Sequence, residues 1–325
     1  MKRSLPLRSA VLVLAALAIL QPIVVHAQVY VLQWGSTGSG SGQFSGTLGV
    51  ASDAAGDIYV VDYVNARVQK FNSTGGFILQ WGSPGNGPGQ FHLPAAIATD
   101  ASGFVYVTTL LDGRIQKFTG TGAFVTQWGS FGSGAGQMDH AYGLAVDPTG
   151  DVYASDLNNR VQRFSNTGTF ILQWGSAGSA PGQMLTPFGI ASDATGDIYV
   201  CDSGNSRIQR FTGSGTFVGM WGSTGTGNGQ FSNGPNGVAT FGTDVYVTDI
   251  GAARVQLFTN TGSYVTQWGS LGNGNSQFIY DYYVGTDPSG FIYVADYSND
   301  RVQKFAPIAT PAKSTSWGRL KSIYR

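Results

Sequence analysis

Glutamate is missing from this chain altogether: all 18 acidic residues are aspartate, so every carboxylate role falls to a short side chain. Cysteine is reduced to Cys201, which has no internal partner for a disulfide and is too few for a thiolate zinc site. Histidine is nearly as scarce, at His26, His92 and His140, which limits imidazole chemistry to two positions once the leader described below is removed. Charged residues make up 11% of the chain. No segment shows helical periodicity, and no apolar run outside the first 27 residues is long enough to read as a membrane span.

What is present begins with a targeting pattern. Lys2, Arg3 and Arg8 form a basic start, Ala10 to Leu20 is an apolar run too short to cross a bilayer, and "VHA" ending at Ala27 has the small-residue form of a cleavage site. Residues 1–27 are therefore expected to be a signal peptide, which places the mature protein in a secreted, periplasmic or cell-surface location. Loss of the leader leaves 15 basic residues against 18 acidic ones. That balance supplies no general basic field for nucleic acid.

The dominant feature is repetition. Six tryptophans, Trp34, Trp81, Trp128, Trp174, Trp221 and Trp268, stand 47, 47, 46, 47 and 47 residues apart. This period belongs to propellers and solenoids. Divided at its turn signals, the copy from Gly42 to Ser83 gives a small apolar stretch "GVASD", an alternating "DIYVVD", an alternating "RVQKF" and a bulky "FILQW". Four short strands per copy and six copies predict an all-β, six-bladed β-propeller of four-stranded antiparallel blades over residues 28–305. The small residues of the first strand suit the crowded axis, and one tryptophan per blade suits the seam between neighbouring sheets. The sixth copy ends at "RVQKF", while "VYVLQW" at the mature N-terminus matches the strand it lacks, so the N-terminal strand is expected to close the ring. The stretch before Trp317 is the rival for that closure, with a proline and no alternation against it.

The recurring Gly-Gln-Phe, Pro-x-Gly-Ile-Ala-x-Asp, Gly-x-Ile-Tyr-Val-x-Asp and Asn-x-Arg-Val-Gln-x-Phe pattern resembles the NHL repeat and covers residues 29–305. The resemblance implies the same six-bladed propeller and says little about activity, since this fold hosts binding modules and enzymes alike. It implies several enzymes and binders that this chain is not equipped to be. Amidating lyases of this type need three zinc-binding histidines, lactonase propellers need a calcium cage that includes glutamate, ubiquitin ligases need a RING, and RNA-binding members need a basic face.

Residues present in every copy are read as scaffold. Arg67, Arg114, Arg160, Arg207, Arg254 and Arg301 follow Asp62, Asp156, Asp202, Asp249 and Asp296 by four or five positions, which predicts one Arg–Asp pair inside each blade. Thr109 replaces the aspartate in the second copy, and Asp112 is expected to substitute. The glycine-rich runs such as "GSTGSGSGQF" read as flexible connections between blades. Cys201 reads as a small core residue.

Function is sought where the copies diverge, at the end of each linker on the face shared with the turn between second and third strands. The candidate ligand-binding residues are His92, Asp139, His140, Tyr142, Phe188, Asn236, Tyr280, Asp281, Tyr282 and Tyr283. The reading is a non-enzymatic, exported recognition scaffold for a protein, peptide or glycan outside the cytoplasm. No catalytic residue, metal, cofactor or nucleic acid is assigned, and a monomer is expected. The alternative is a metal-dependent lyase or hydrolase at the propeller mouth, built on His92, His140 and Asp139. Residues 306–325 form a Pro, Ala, Ser and Thr linker followed by a basic tail, read either as a sorting signal or as a loose end.

Overall fold

The computed structural model describes residues 28–308, so the leader and the tail beyond residue 308, including the Trp317 stretch, lie outside the described residues. Within them the chain forms six separate four-stranded antiparallel sheets. Blade 1 is Thr47–Ser52, Ile58–Asp62, Arg67–Phe71 and Phe77–Trp81, and the next four blades repeat that order along the chain. Blade 6 takes three strands from the C-terminal end, Asp281–Thr286, Ile292–Asp296 and Arg301–Phe305, and its fourth from Tyr30–Trp34. Gln33 pairs with Gln303 and Trp34 with Val302, and Ala306 N–H donates to the Val29 carbonyl at 2.9 Å. The ring is therefore closed by the N-terminal strand, which removes the free edge that an open sixth blade would expose.

Each tryptophan covers a seam. Trp34 packs on Tyr293 of its own blade and Phe71 of the next, at centroid distances of 6.0 and 5.7 Å. Trp81 does the same with Tyr59 and Phe118, and the series runs round to Trp268 with Tyr246 and Phe305. Such aromatic pairs add about 0.5–1.5 kcal/mol each beyond the area they bury. The fit sets a constraint on the turn beneath each ring. Gly122 has φ +83°, and a Cβ there would lie 2.8 Å from Trp81, so conformation and space both require glycine.

The Arg series is internal wiring. Arg67 Nε donates to Asp62 at 2.7 Å, Nη1 to the Ser39 carbonyl and Gln80, and Nη2 to the Gly40 and Gln43 carbonyls. All five donors of the guanidinium are used, leaving none for an outside anion. Arg160, Arg254 and Arg301 repeat the arrangement, and in blade 4 the Met220 sulfur replaces glutamine beside Arg207. In blade 2, Asp112 does substitute for the missing carboxylate, 3.0 Å from Arg114 Nη2, but Arg114 Nε is left without a partner.

The linkers correct one expectation. They are not loose connections, because each is tied to the blade that follows. Gly42 N–H donates to Gln69 at 2.8 Å, Gly40 N–H to Gln43 at 3.0 Å, and a short parallel bridge joins Thr37 to Phe44. The parallel bridge recurs in all six linkers. Glycine leaves the peptide groups bare, and the repeated arginine and glutamine side chains take up their hydrogen bonds. Cys201 is fully buried, as expected for a core residue, and burial pushes its thiol up.

Candidate functional site

The linker ends and the turns between second and third strands gather on one face, around the axis. The second residue of the first strand in five blades, and in blade 3 the residue just before Gly143–Val146, form an inner ring of Leu48, Ala95, Tyr142, Phe188, Asn236 and Tyr282. Above it stand residues that directly follow the second strand, chiefly Tyr63, Leu110 and Tyr297. Together Leu48, Tyr63, Leu110, Tyr142, Phe188, Tyr282, Tyr283 and Tyr297 line a well of about 200 Å³.

The aromatic walls are two connected arcs. On blades 3 and 4, His140 stacks on Tyr142 at 6.3 Å and Tyr142 on Phe188 at 4.5 Å. On blades 6 and 1, Tyr280 stacks on Tyr282 at 6.2 Å, Tyr282 meets Tyr297 edge-on at 5.3 Å, and Tyr297 meets Tyr63 at 6.3 Å. Tyr283 is the bar between them. It occupies the place held by Gly49, Ala96, Gly143, Gly189 and Gly237 in the other blades, and its hydroxyl donates to the Tyr142 carbonyl on the opposite side of the ring. Tyr283 is at once the floor of the well and part of the lining of a cavity of about 180 Å³ deeper along the axis. Its ring separates the two spaces.

No Asp, Lys, Arg or His lines the well. Burial holds the phenols of Tyr63, Tyr142 and Tyr282 above their ordinary value, and that of Tyr283 further still. All four remain neutral donors at physiological pH. Beside the well, sharing Phe188 and Tyr282 with it, runs a groove of about 640 Å³ whose lining includes Thr186, Ser203, Asn233 and Asn236. The Asn236 side-chain oxygen is buried there without a hydrogen-bond partner among the described residues.

The ten residues proposed from sequence separate into groups. Tyr142, Phe188, Tyr282 and Tyr283 meet in the well, Asn236 faces the adjoining groove, and Tyr280 stands exposed on the rim. His140 is bound through Nδ1 to Asp139 at the edge of the first arc. His92 lies apart, in a groove with Tyr63 and Pro84, its Nδ1 3.0 Å from Asp112. Each histidine thus has its own aspartate, and no group of three or more His, Cys or Asp side chains suited to a metal occurs among the described residues.

Asp281 departs from its expected place on the rim. Its side chain is fully buried, and neither carboxylate oxygen has a hydrogen-bond partner among the described residues. The reason is strand register: Asp281 sits opposite Asp296, at the position of Pro94, Pro187 and Pro235, and points into the blade. Burial pushes its carboxyl well above the ordinary carboxylate value, with the charges of Asp296 and Asp249 adding to the effect. The sequence reading missed Tyr63, Leu110 and Tyr297. A signal existed, because the residue just after the second strand varies from blade to blade as Tyr63, Leu110, Leu157, Ser203, Ile250 and Tyr297.

Comparison with known proteins bears on the fold. The NHL repeat model matches residues 44–71 and 185–211. No curated protein sequence matches the chain. Among solved structures, a structural genomics protein of unknown function from Bacteroides thetaiotaomicron is similar at 18% identity and TM-score 0.66, over 85% of this chain and 76% of that one. Virginiamycin B lyase from Staphylococcus aureus is similar at 15% identity and TM-score 0.57, over 85% and 99%. An auxiliary nutrient binding protein from Bacteroides ovatus is similar at 18% identity and TM-score 0.59, over 87% and 74%. At these identities the likeness is one of fold, which a lyase and a binding protein share.

Proposed function

The chain belongs to the NHL-repeat β-propellers, and from that premise we propose that it is a recognition module acting outside the cytoplasm, with its ligand seated on the linker face at the axial well. One observation carries the reading: the departures from the blade pattern at the axis put five aromatic side chains around an uncharged well closed at its base by a sixth, Tyr283. Pockets that bind organic ligands combine apolar and aromatic walls with a few polar groups in this way. Apart from Arg114 Nε, the donors of the repeated arginines are taken up within the blades, which favours the aromatic well over an arginine ring as the surface for recognition. Export is supported by the leader pattern of residues 1–27, and among the described residues no helix is long and apolar enough to cross a membrane.

The test is retention of a partner from the envelope fraction of the host by immobilised protein. Replacing both Tyr282 and Tyr297 by alanine removes most of one aromatic wall and abolishes retention, while the melting temperature shows that the ring still closes. Retention equal to that of the parent would remove the reading. N-terminal sequencing of the exported protein is expected to begin at Gln28.

A further inference from the structure

Resting on that reading, we infer that the ligand is a neutral saccharide, with one sugar ring stacked in the aromatic well and its neighbour hydrogen-bonded in the adjoining groove. The two spaces are continuous through shared walls, Phe188 and Tyr282, so one extended ligand reaches both. Neither lining contains an Asp, Lys, Arg or His side chain. A carboxylate, phosphate or ammonium on the ligand would lose its hydration and find no counter-charge, which excludes ionic ligands from the site.

The polar group that awaits a ligand is Asn236. It is 7% exposed, its side-chain oxygen has no partner among the described residues, and it lines the groove. Its neighbours are already engaged: Ser203 donates to the Pro235 carbonyl, and Thr224 donates to Ser206 at 3.1 Å. An unmet buried amide is costly, and a ligand hydroxyl that meets it recovers that cost on binding. Hydroxyl groups around the edge of an apolar ring face are the surface of a saccharide, and aromatic faces beside a neutral amide are its complement.

A peptide fits the same features less well. Peptide recognition by strand addition needs a free sheet edge. Here the innermost strands are pressed against one another, as at Gly237, where a Cβ would lie 2.6 Å from the Tyr282 carbonyl of the next blade. No charged side chain of the lining is placed to take a peptide terminus.

The experiment is calorimetric titration of the mature protein with maltotetraose, cellotetraose, xylotetraose and chitotetraose. Tetragalacturonate serves as the anionic control and N-acetyltyrosinamide as an aromatic probe without a sugar. At least one neutral tetrasaccharide is expected to bind and tetragalacturonate is not. Asn236→Ala is expected to weaken binding about tenfold, the equivalent of one hydrogen bond, and Tyr282→Ala by at least as much. Melting curves accompany each variant, and Phe188→Ala, half-buried on the other aromatic arc, replaces either one that fails to fold. Binding of N-acetyltyrosinamide that depends on Tyr282, with no neutral saccharide bound, overturns the saccharide assignment and leaves the recognition site standing. Saccharide binding unchanged by all three variants also overturns it, as does failure of every probe to bind, while the recognition site itself stands or falls by the retention experiment.

Discussion

Blade 6 and the other five blades differ at one strand. Outside blade 2, their second and third strands carry the same pair, with Asp296 and Arg301 joined as Asp62 and Arg67 are, at 2.8 and 2.7 Å. Their first strands are not. Where blades 2, 4 and 5 begin with proline and all five then place Gly or Ala at the third position, blade 6 reads Asp281, Tyr282, Tyr283. The scaffold strands must satisfy the same contacts in every blade. The first strand faces the axis, where six copies meet, and one side chain as large as Tyr283 fills the space they share. Only one blade can supply it. Symmetry in the blade interiors and asymmetry at the axis are therefore compatible, and the site arises where they meet.

The largest effect is expected from breaking what the blades share. Arg301→Ala and Arg207→Ala each leave a fully buried aspartate without its partner and are expected to cost about 3–5 kcal/mol in urea melts. Arg114→Ala is expected to cost less, because Asp112 is partly exposed and also meets His92. Equal losses in all three would show that blade 2 is wired as tightly as the rest.

Next in size is an attack on the small residues of the axis. Gly237→Ala sets a methyl group against the Tyr282 carbonyl and the Tyr283 Cα, at 2.6 and 2.7 Å, and is expected to destabilise by about 1–3 kcal/mol. A neutral result would mean that blades 5 and 6 separate easily, and that Tyr283 does not depend on close approach by its neighbours.

Asp281→Pro restores the residue used in blades 2, 4 and 5. The backbone is ready for it, since Tyr280 has φ +59° and the residues before Pro94 and Pro187 have φ +59° and +48°. The substitution removes an unpartnered buried carboxyl and stiffens the unfolded chain, for an expected gain of about 1–3 kcal/mol at pH 7. The gain is pH-dependent. Folded Asp281 holds its proton to higher pH than the unfolded chain, which releases it near the ordinary value of 3.8. Its contribution to stability is therefore whole below that pH and is lost progressively as pH rises toward the raised folded value. The difference between variant and parent should be small at pH 4 and larger at pH 7, and a gain independent of pH would contradict the upward shift of the Asp281 carboxyl.

The smallest expected effect tests the floor of the well. Tyr283→Phe keeps the ring and removes only the hydrogen bond to the Tyr142 carbonyl, at a cost of about 0.5–1.5 kcal/mol. A much larger loss would mean that the bond across the axis, not the filling of the channel, holds blades 3 and 6 in place.

Much of this was legible in the sequence for a specific reason. A repeat writes each structural requirement six times, so the tryptophan seams, the Arg–Asp pairs and even the substitution of Asp112 for a missing aspartate could be read by aligning the chain with itself. Tyr142, Phe188, Tyr282 and Tyr283 were found by their departure from that alignment. The same comparison misplaced Asp281, because departure from a pattern does not tell inward from outward when a register shift lies between Asp281 and Tyr283. It also passed over Tyr63 and Tyr297, which stand outside the first strand and reach the well only because the turn between second and third strands folds back over the axis.

The sequence by itself determined the number of blades, the strand order within each and the closure by residues 30–34, since these follow from period, alternation and one missing strand supplied from the other end of the chain. It could not decide what lies at the axis. That space belongs to no single repeat, and its shape depends on side chains from opposite blades, such as Tyr283 and Tyr142, 141 residues apart, that only ring closure brings together. A local pattern fixes contacts within a blade, and the well is made of contacts across the ring.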